Sequence, residues 1–159
     1  MASRRKGRIL AFQALYSWEA TGSPGEWKDL LNFSWAGTGE ILRNEEPQIA
    51  NQDFSRLLVT GTIENIASVD AMICSHLENW DFSRLNRVDL AILRMSTYTL
   101  MFQNDVPPSI IIDEAIGISK EFGTDDSFKF INGVLDSIRR TLQDPKTIQD
   151  QAEMPSPSP

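Results

Sequence analysis

Four cations crowd into the first eight residues of the chain: Arg4, Arg5, Lys6 and Arg8. The residues that follow, to Ala20, have helical periodicity, so these side chains fall in the first turns of a helix. That end carries the positive pole of the macrodipole and unpaired N–H groups, and it favours anions. Each cation there costs roughly a few tenths of a kcal/mol. Two readings stand. One is a frayed, solvated start with incidental charge. The other is a phosphate-contacting arm, in which cationic side chains and a positive helix end reinforce each other on an anion.

A second constellation lies in "GTDDSFKFINGVLDSIRR", residues 123–140. Asn132-Gly133 is a hairpin signal, whereas Asp125, Asp126 and Ser127 suit the start of a helix. At roughly 100° per residue, Phe128, Ile131, Leu135, Ile138 and Leu142 fall within an arc of about 80°, which favours a helix. Gly133 then costs about 1 kcal/mol relative to Ala, and the reading assigns it to close approach of a neighbouring helix. Phe128 is placed on the core stripe. Phe130 lies roughly 120° from the stripe's centre, with Lys129 further round. Phe130 either packs against another helix or is an exposed aromatic able to stack on an unpaired base, worth ~1–3 kcal/mol.

Catalytic chemistry finds little material. His76 is the only histidine and Cys74 the only cysteine, so no thiolate metal cluster or disulfide framework is encoded. There is no G-x-x-x-x-G-K-[ST] loop. Asp113-Glu114 and Asp125-Asp126 are adjacent pairs, which point different ways on a helix. The expectation is a protein with no catalytic role, no cofactor and no metal.

These residues need a scaffold, and the chain encodes a helical one. Its 159 residues, 41% hydrophobic and 23% charged, suit one ordinary domain rather than a disordered or fibrous chain. No apolar run reaches the ~20 residues of a membrane span, and nothing resembles a signal peptide's apolar core, so a cytoplasmic location is expected. The rest of the chain, beyond the first ten residues, holds 11 basic against 22 acidic groups. Such a body repels nucleic acid at long range, so any RNA contact is local, and a basic protein partner is welcome.

Helices are expected at 4–20, 26–33, 53–77, 83–102, 109–121 and from Ser127 to Leu142. Residues 34–50 read as an irregular surface connection, and 143–159, rich in Pro, Ser and Gln, as a disordered tail. Ser83 is the expected N-cap of the fourth helix, whose apolar residues nearly encircle it, the mark of a central helix.

"SRRKGRILAFQALYSWE", "NRVDLAILRMSTYTLM", "DVPPSIIIDEAI" and "EFGTDDSFKFINGVLD" resemble, in order, blocks of the NusB family of transcription antitermination factors. The resemblance runs from about residue 3 to 140 and implies an all-α fold, about seven helices in two small bundles packed crosswise, within a single domain spanning 1–142. It also implies a mechanism. A NusB-like protein pairs with ribosomal protein NusE, and the heterodimer binds the single-stranded boxA element of nascent RNA, notably in ribosomal RNA operons. Tethered to RNA polymerase, that assembly suppresses premature termination.

Carried over by motif position, the RNA side comprises Arg4, Arg5, Lys6, Arg8 and Tyr16, with Asp126, Ser127, Lys129 and Phe130. The NusE side comprises Asp89 and Arg94, each of which taken alone reads equally as an ordinary intramolecular ion pair or a solvated charge. The histidine often found between Ser127 and Lys129 is Phe128 here. The rival readings are a protein-only adaptor that has lost RNA recognition, and self-association that covers the RNA face.

Overall fold

The computed structural model describes residues 3–23, 25–32, 49–78 and 81–143. Among them every regular element is helical: α1 (Ser3–Ala20), α2 (Ile49–Glu64), α3 (Ile66–Cys74), α4 (Arg87–Phe102), α5 (Pro108–Phe122) and α6 (Ser127–Gln143), with short 3-10 turns at Lys28–Asn32 and Phe82–Arg84. Most of the expected 34–50 connection and the tail from residue 144 lie outside the described residues. No single described helix is long and apolar enough to cross a membrane.

α4 is the axis. From Asp89 to Leu100 every residue is buried, as its encircling apolar pattern requires. α1, α2 and α3 pack on one side of it, α5 and α6 on another, so that two small bundles meet across α4. Leu10, Leu15, Leu58, Ile73, Ile92, Leu93, Ile118, Ile131, Leu135 and Ile138 are fully buried where they meet.

Local chemistry sets the helix ends. α1 closes in a Schellman motif: Ser23 N donates to Trp18 O (2.9 Å) and Gly22 N to Glu19 O (3.1 Å), with Gly22 at φ 88°. α5 starts with Pro108 in its first turn, where a missing N–H costs nothing. α4 is capped by Asn86, whose Oδ1 accepts from Asp89 N at 2.8 Å, so the expected cap Ser83 is displaced. Ser83 belongs instead to the preceding 3-10 turn, where its N and Oγ donate to Asp81 Oδ1 at 3.0 and 2.8 Å. The expected 26–33 helix is reduced to the turn at Lys28–Asn32.

The stretch expected as one helix from 53 to 77 is two. α2 begins earlier, at Ile49, and it and α3 meet at a bend of 73°. Asn65 marks the break: its Nδ2 donates to Gly61 O (2.8 Å), the carbonyl that its own N–H also uses (3.1 Å). The side chain thus competes with the helical ladder.

Gly61 and Gly133 invert expectation. A Cβ on Gly61 would lie 2.1 Å from Tyr98 Cζ, so this glycine lets α2 approach α4. A Cβ on Gly133 would meet nothing within 4 Å, because Asn132 and Gly133 face solvent. The helix reading of 127–143 stands, and the close-approach role passes to Gly61. Gly133→Ala should therefore stabilise the protein by up to about 1 kcal/mol in urea unfolding. Gly61→Ala should destabilise it by roughly 1–3 kcal/mol, the usual cost of overpacking.

Candidate functional site

The cationic start of α1 is helical from Ser3 and its arginines are anchored, which replaces the frayed-start reading. Arg4 is exposed and lays its guanidinium 4.2 Å above the centroid of Phe54 on α2. Arg8, half-buried, approaches the same ring at 5.4 Å. Arg5 turns the other way, across α5: its Nη2 donates to Glu121 Oε2 (3.1 Å) and its Nη1 lies 4.0 Å from Glu114. Gly117 makes room, since a Cβ there would sit 2.7 Å from Arg5 Nη1. Lys6 is half-buried beside them. Burial disfavours the charge on Arg8, against the pull of Glu114 at 4.0 Å and with the push of Arg4. An added anion would relieve both penalties.

A second cationic feature lies at the start of α6, which Lys120 of α5 reaches. Lys120 Nζ is 5.1 Å and Lys129 Nζ 5.8 Å from the centroid of Phe128. Phe128 is half-exposed between two lysines, while Phe130 packs against the core. Both rings are partly buried; Phe128 is not on the core stripe expected for it, and Phe130 takes the packing option of its two readings. The buried set of α6 is Ser127, Ile131, Val134, Leu135 and Ile138. Its centre lies roughly 40° further round than the apolar pattern suggests, leaving the two phenylalanines about equally far off at opposite edges. The edge of Phe130 packs on the core, and the edge of Phe128 meets Lys120 of α5.

Asp126 and Lys129 are exposed, but Ser127 is buried. Its Oγ accepts from Thr124 N at 3.0 Å and so holds the α5–α6 turn instead of facing solvent.

The two residues expected on a partner face are also interior. Asp89 is buried at the first turn of α4, where its Oδ2 accepts from Asn86 Nδ2 (3.1 Å). Burial pushes its carboxyl up, partly offset by hydrogen bonding from Ser127 and Asn86. Arg94, only 6% exposed, donates from Nε and Nη2 to both oxygens of Asp70 on α3, each at 2.9 Å. Its Nη1 donates to Glu19 Oε2 on α1 at 2.8 Å. Trp18 and Phe82 lie 5.6 and 5.7 Å from its guanidinium carbon. The ion-pair reading of Arg94 is the one that holds.

What the start of that helix does expose is Arg87 and, in part, Val88. With Tyr16, Phe122, Phe12 and Asn86 they line two adjoining hollows that form one apolar groove between α1, α4 and the end of α5. Tyr16, 38% exposed, stands over this groove, whose lining includes neither Lys120 nor Lys129. Sequence reasoning missed Lys120, Phe54, Phe122 and Val88. Only the α5–α6 hairpin brings Lys120 to Phe128, and no spacing within one helix announces it. Among the described residues no group of three His, Cys, Asp or Glu side chains is arranged to hold a metal ion.

The comparisons follow this geometry. The model of the NusB family matches residues 5–140. Transcription antitermination protein NusB of Treponema pallidum is 51% identical over 138 residues, covering 87% of this chain and 93% of that one. NusB of T. maritima superposes with a TM-score of 0.74 at 33% identity, covering 92% of this chain and 96% of that one. A chain of the crystal structure of antitermination factors NusB and NusE in complex with dsRNA gives a TM-score of 0.70 at 25% identity, covering 88% and 98%.

The Arg94 cluster has a measurable signature. Arg94→Met should cost about 3 kcal/mol or more, since it strands two carboxylates that are only partly solvated. The hydrogen bond from Arg94 holds the Glu19 carboxyl below the usual carboxylate range, against its burial. A depressed carboxyl contributes stability above its unfolded pKa, ~4.3, and loses it as pH falls through the folded value. Urea unfolding at neutral pH and in acid should therefore show the gap between wild type and Arg94→Met narrowing in acid.

Proposed function

Because the chain belongs to the NusB family, we propose that it acts in transcription antitermination, binding single-stranded boxA-type RNA in partnership with NusE and the transcribing RNA polymerase. The observation that carries the RNA half is an aromatic ring set between two lysines, Lys120 and Lys129, on the hairpin whose first helix also holds Arg5. Arg5 lies against Glu121 of α5, and Lys120 and Lys129 flank the half-exposed ring of Phe128 at the start of α6. A cationic track beside an aromatic platform is what unpaired RNA requires. A duplex would keep its bases stacked inside and leave the platform unused.

In this reading Arg4, Arg5, Lys6 and Arg8 hold phosphates, Lys120 and Lys129 add to the track, and Phe128 takes the stacking role. Phe130 supports the ring's helix from the core side. Asp126 is exposed at the same turn and offers acceptors to base amines. Glu114 and Glu121 hold Arg5 until a phosphate competes for it. The role is one of binding, and the body that carries it is acidic.

The NusE half belongs on the apolar groove of Tyr16, Val88 and Phe122, not on Asp89 and Arg94. Tyr16 moves with it from the RNA face to the partner face. The groove is apolar in its floor and bordered by Asn86 and Arg87, the anatomy of a docking surface with a polar rim.

Titrating labelled boxA-type RNA with protein, alone and with NusE, tests the assignment. Phe128→Ala should lose ~1–3 kcal/mol of RNA affinity, the worth of one stacked base. Lys120→Ala/Lys129→Ala should give a shallower dependence on salt. Glu121→Gln, by releasing Arg5, should tighten binding. If the wild-type complex with NusE does not prefer boxA over a scrambled strand, RNA recognition is lost and a protein adaptor remains. On the other face, Val88→Asp should weaken NusE binding by at least about 1 kcal/mol, as hot-spot changes do, and leave the binary affinity for RNA unchanged.

A further inference from the structure

The start of α1 has a second flank. Arg4 and Arg8 face α2 across Phe54, and behind that ring the surface opens into a groove toward the end of α4. Two of the most exposed large apolar side chains of the described surface, Leu57 at 53% and Phe102 at 47%, stand on its walls. Gln103 and Asp105 supply polar atoms at its far side. Its volume, about 440 Å³, falls in the range of ~300–1,000 Å³ typical of small-ligand sites. The Lys120–Phe128–Lys129 platform is approached through Arg5, which faces α5, whereas this groove opens on the α2 side, so the two share only the cations of α1.

We infer that this groove is a second base-stacking subsite, in which an unpaired nucleobase of the same RNA strand lies against Phe54 and the guanidinium of Arg4. Three observations converge. Phe54 already carries a planar cation on its face at 4.2 Å, and guanidinium planes stack on bases as readily as on rings. Arg4 and Arg8 outnumber Asp105, so the mouth of the groove is cationic and suits a phosphate next to the base. The groove is also continuous with the phosphate track, because Arg4 and Arg5 are neighbours on α1 and face its two sides. A peptide would use the apolar walls but not the stacked arginines. A nucleotide uses both: base on the Arg4–Phe54 layer, phosphate on Arg8, and base edge toward Gln103 and Asp105. The strand would then cross the start of α1 from Phe128 to Phe54 and be held by a ring at each end.

The inference rests on the RNA reading, and the test separates the two. A boxA-type strand carrying thiouridine at successive positions is photocrosslinked to the wild-type, full-length protein, and the crosslinked peptides are mapped. Crosslinks at Phe54, Leu57 or Phe102 from one end of the strand, with crosslinks near Phe128 from the other, are expected. Phe54→Leu keeps the apolar volume but removes the ring, and should weaken RNA binding about fivefold or more, the low end of one stacked base. Leu57→Gln, at an exposed site that does not threaten folding, should remove the groove crosslinks. RNA that binds and crosslinks at α1 and Phe128 alone, with full affinity in Phe54→Leu, overturns this subsite and leaves the RNA reading intact. Loss of NusE binding in Phe54→Leu with RNA affinity unchanged also overturns it, and gives the groove to the protein partner. Wild-type protein that binds no RNA overturns both.

Discussion

Everything in this fold hangs from one buried guanidinium. Arg94 on the central helix holds both oxygens of Asp70 on α3 and one oxygen of Glu19 on α1. A charge so deep is unfavourable unless paired and fully hydrogen-bonded, and here Nε, Nη1 and Nη2 each have a carboxylate partner. The planar fork does what an ammonium cannot. It ties two helices to a third at fixed angles while Trp18 and Phe82 lie near its faces. Glu19 sits in the last turn of α1, so the anchor fixes one end of that helix. The other end carries the four cations, and its direction follows from the anchoring. The candidate RNA surface is thus positioned from roughly three to four helical turns away.

The same anchoring separates two faces of α1. Successive turns of the helix present Arg5 to α5, Phe12 to Phe122 at 5.3 Å between ring centroids, and Tyr16 to the apolar groove. Arg4 and Arg8 look toward α2. One helix therefore edges a cationic surface at its start and an apolar one near its end. An RNA strand and a protein partner can occupy such a helix together without competing for side chains.

The helical architecture was legible because burial imposes a period of 3.6, and α4 showed it most plainly by being apolar on all sides. The break at Asn65 was not legible, since the apolar period runs through it. What ends α2 is a side-chain amide that takes a backbone carbonyl, beside a glycine pressed against Tyr98. The cations of α1 were legible as a local violation of the dipole rule. Phe128 and Phe130 were not distinguishable, because they flank the buried face almost symmetrically and tertiary contact with Lys120 decides between them. Between a partner face and an ordinary ion pair or solvated charge at Arg94 and Asp89 the pattern could not decide, for a similar reason. The carboxylates that swallow Arg94 lie 24 and 75 residues away in sequence, beyond any periodicity.

The acidic body and the cationic arm are parts of one electrostatic arrangement. In the protein without RNA, Arg5 is held by Glu121 and neighbours Glu114, while Arg4 lies on Phe54. These are the contacts that a phosphate and a base would make, supplied from within. Exposed pairs of this kind are worth only ~0–1 kcal/mol, so they position the arginines without locking them. In the proposed reading RNA binding is an exchange of partners: carboxylate for phosphate at Arg5, with a base added to the layer at Arg4. Exchange yields less free energy per contact than neutralising a bare cation. It suppresses indiscriminate attraction to nucleic acid, which depends on phosphates alone. Discrimination is left to stacking, which needs unpaired bases, and to a second protein that completes the surface. A short cationic arm on an acidic scaffold is therefore suited to a factor that ignores most RNA.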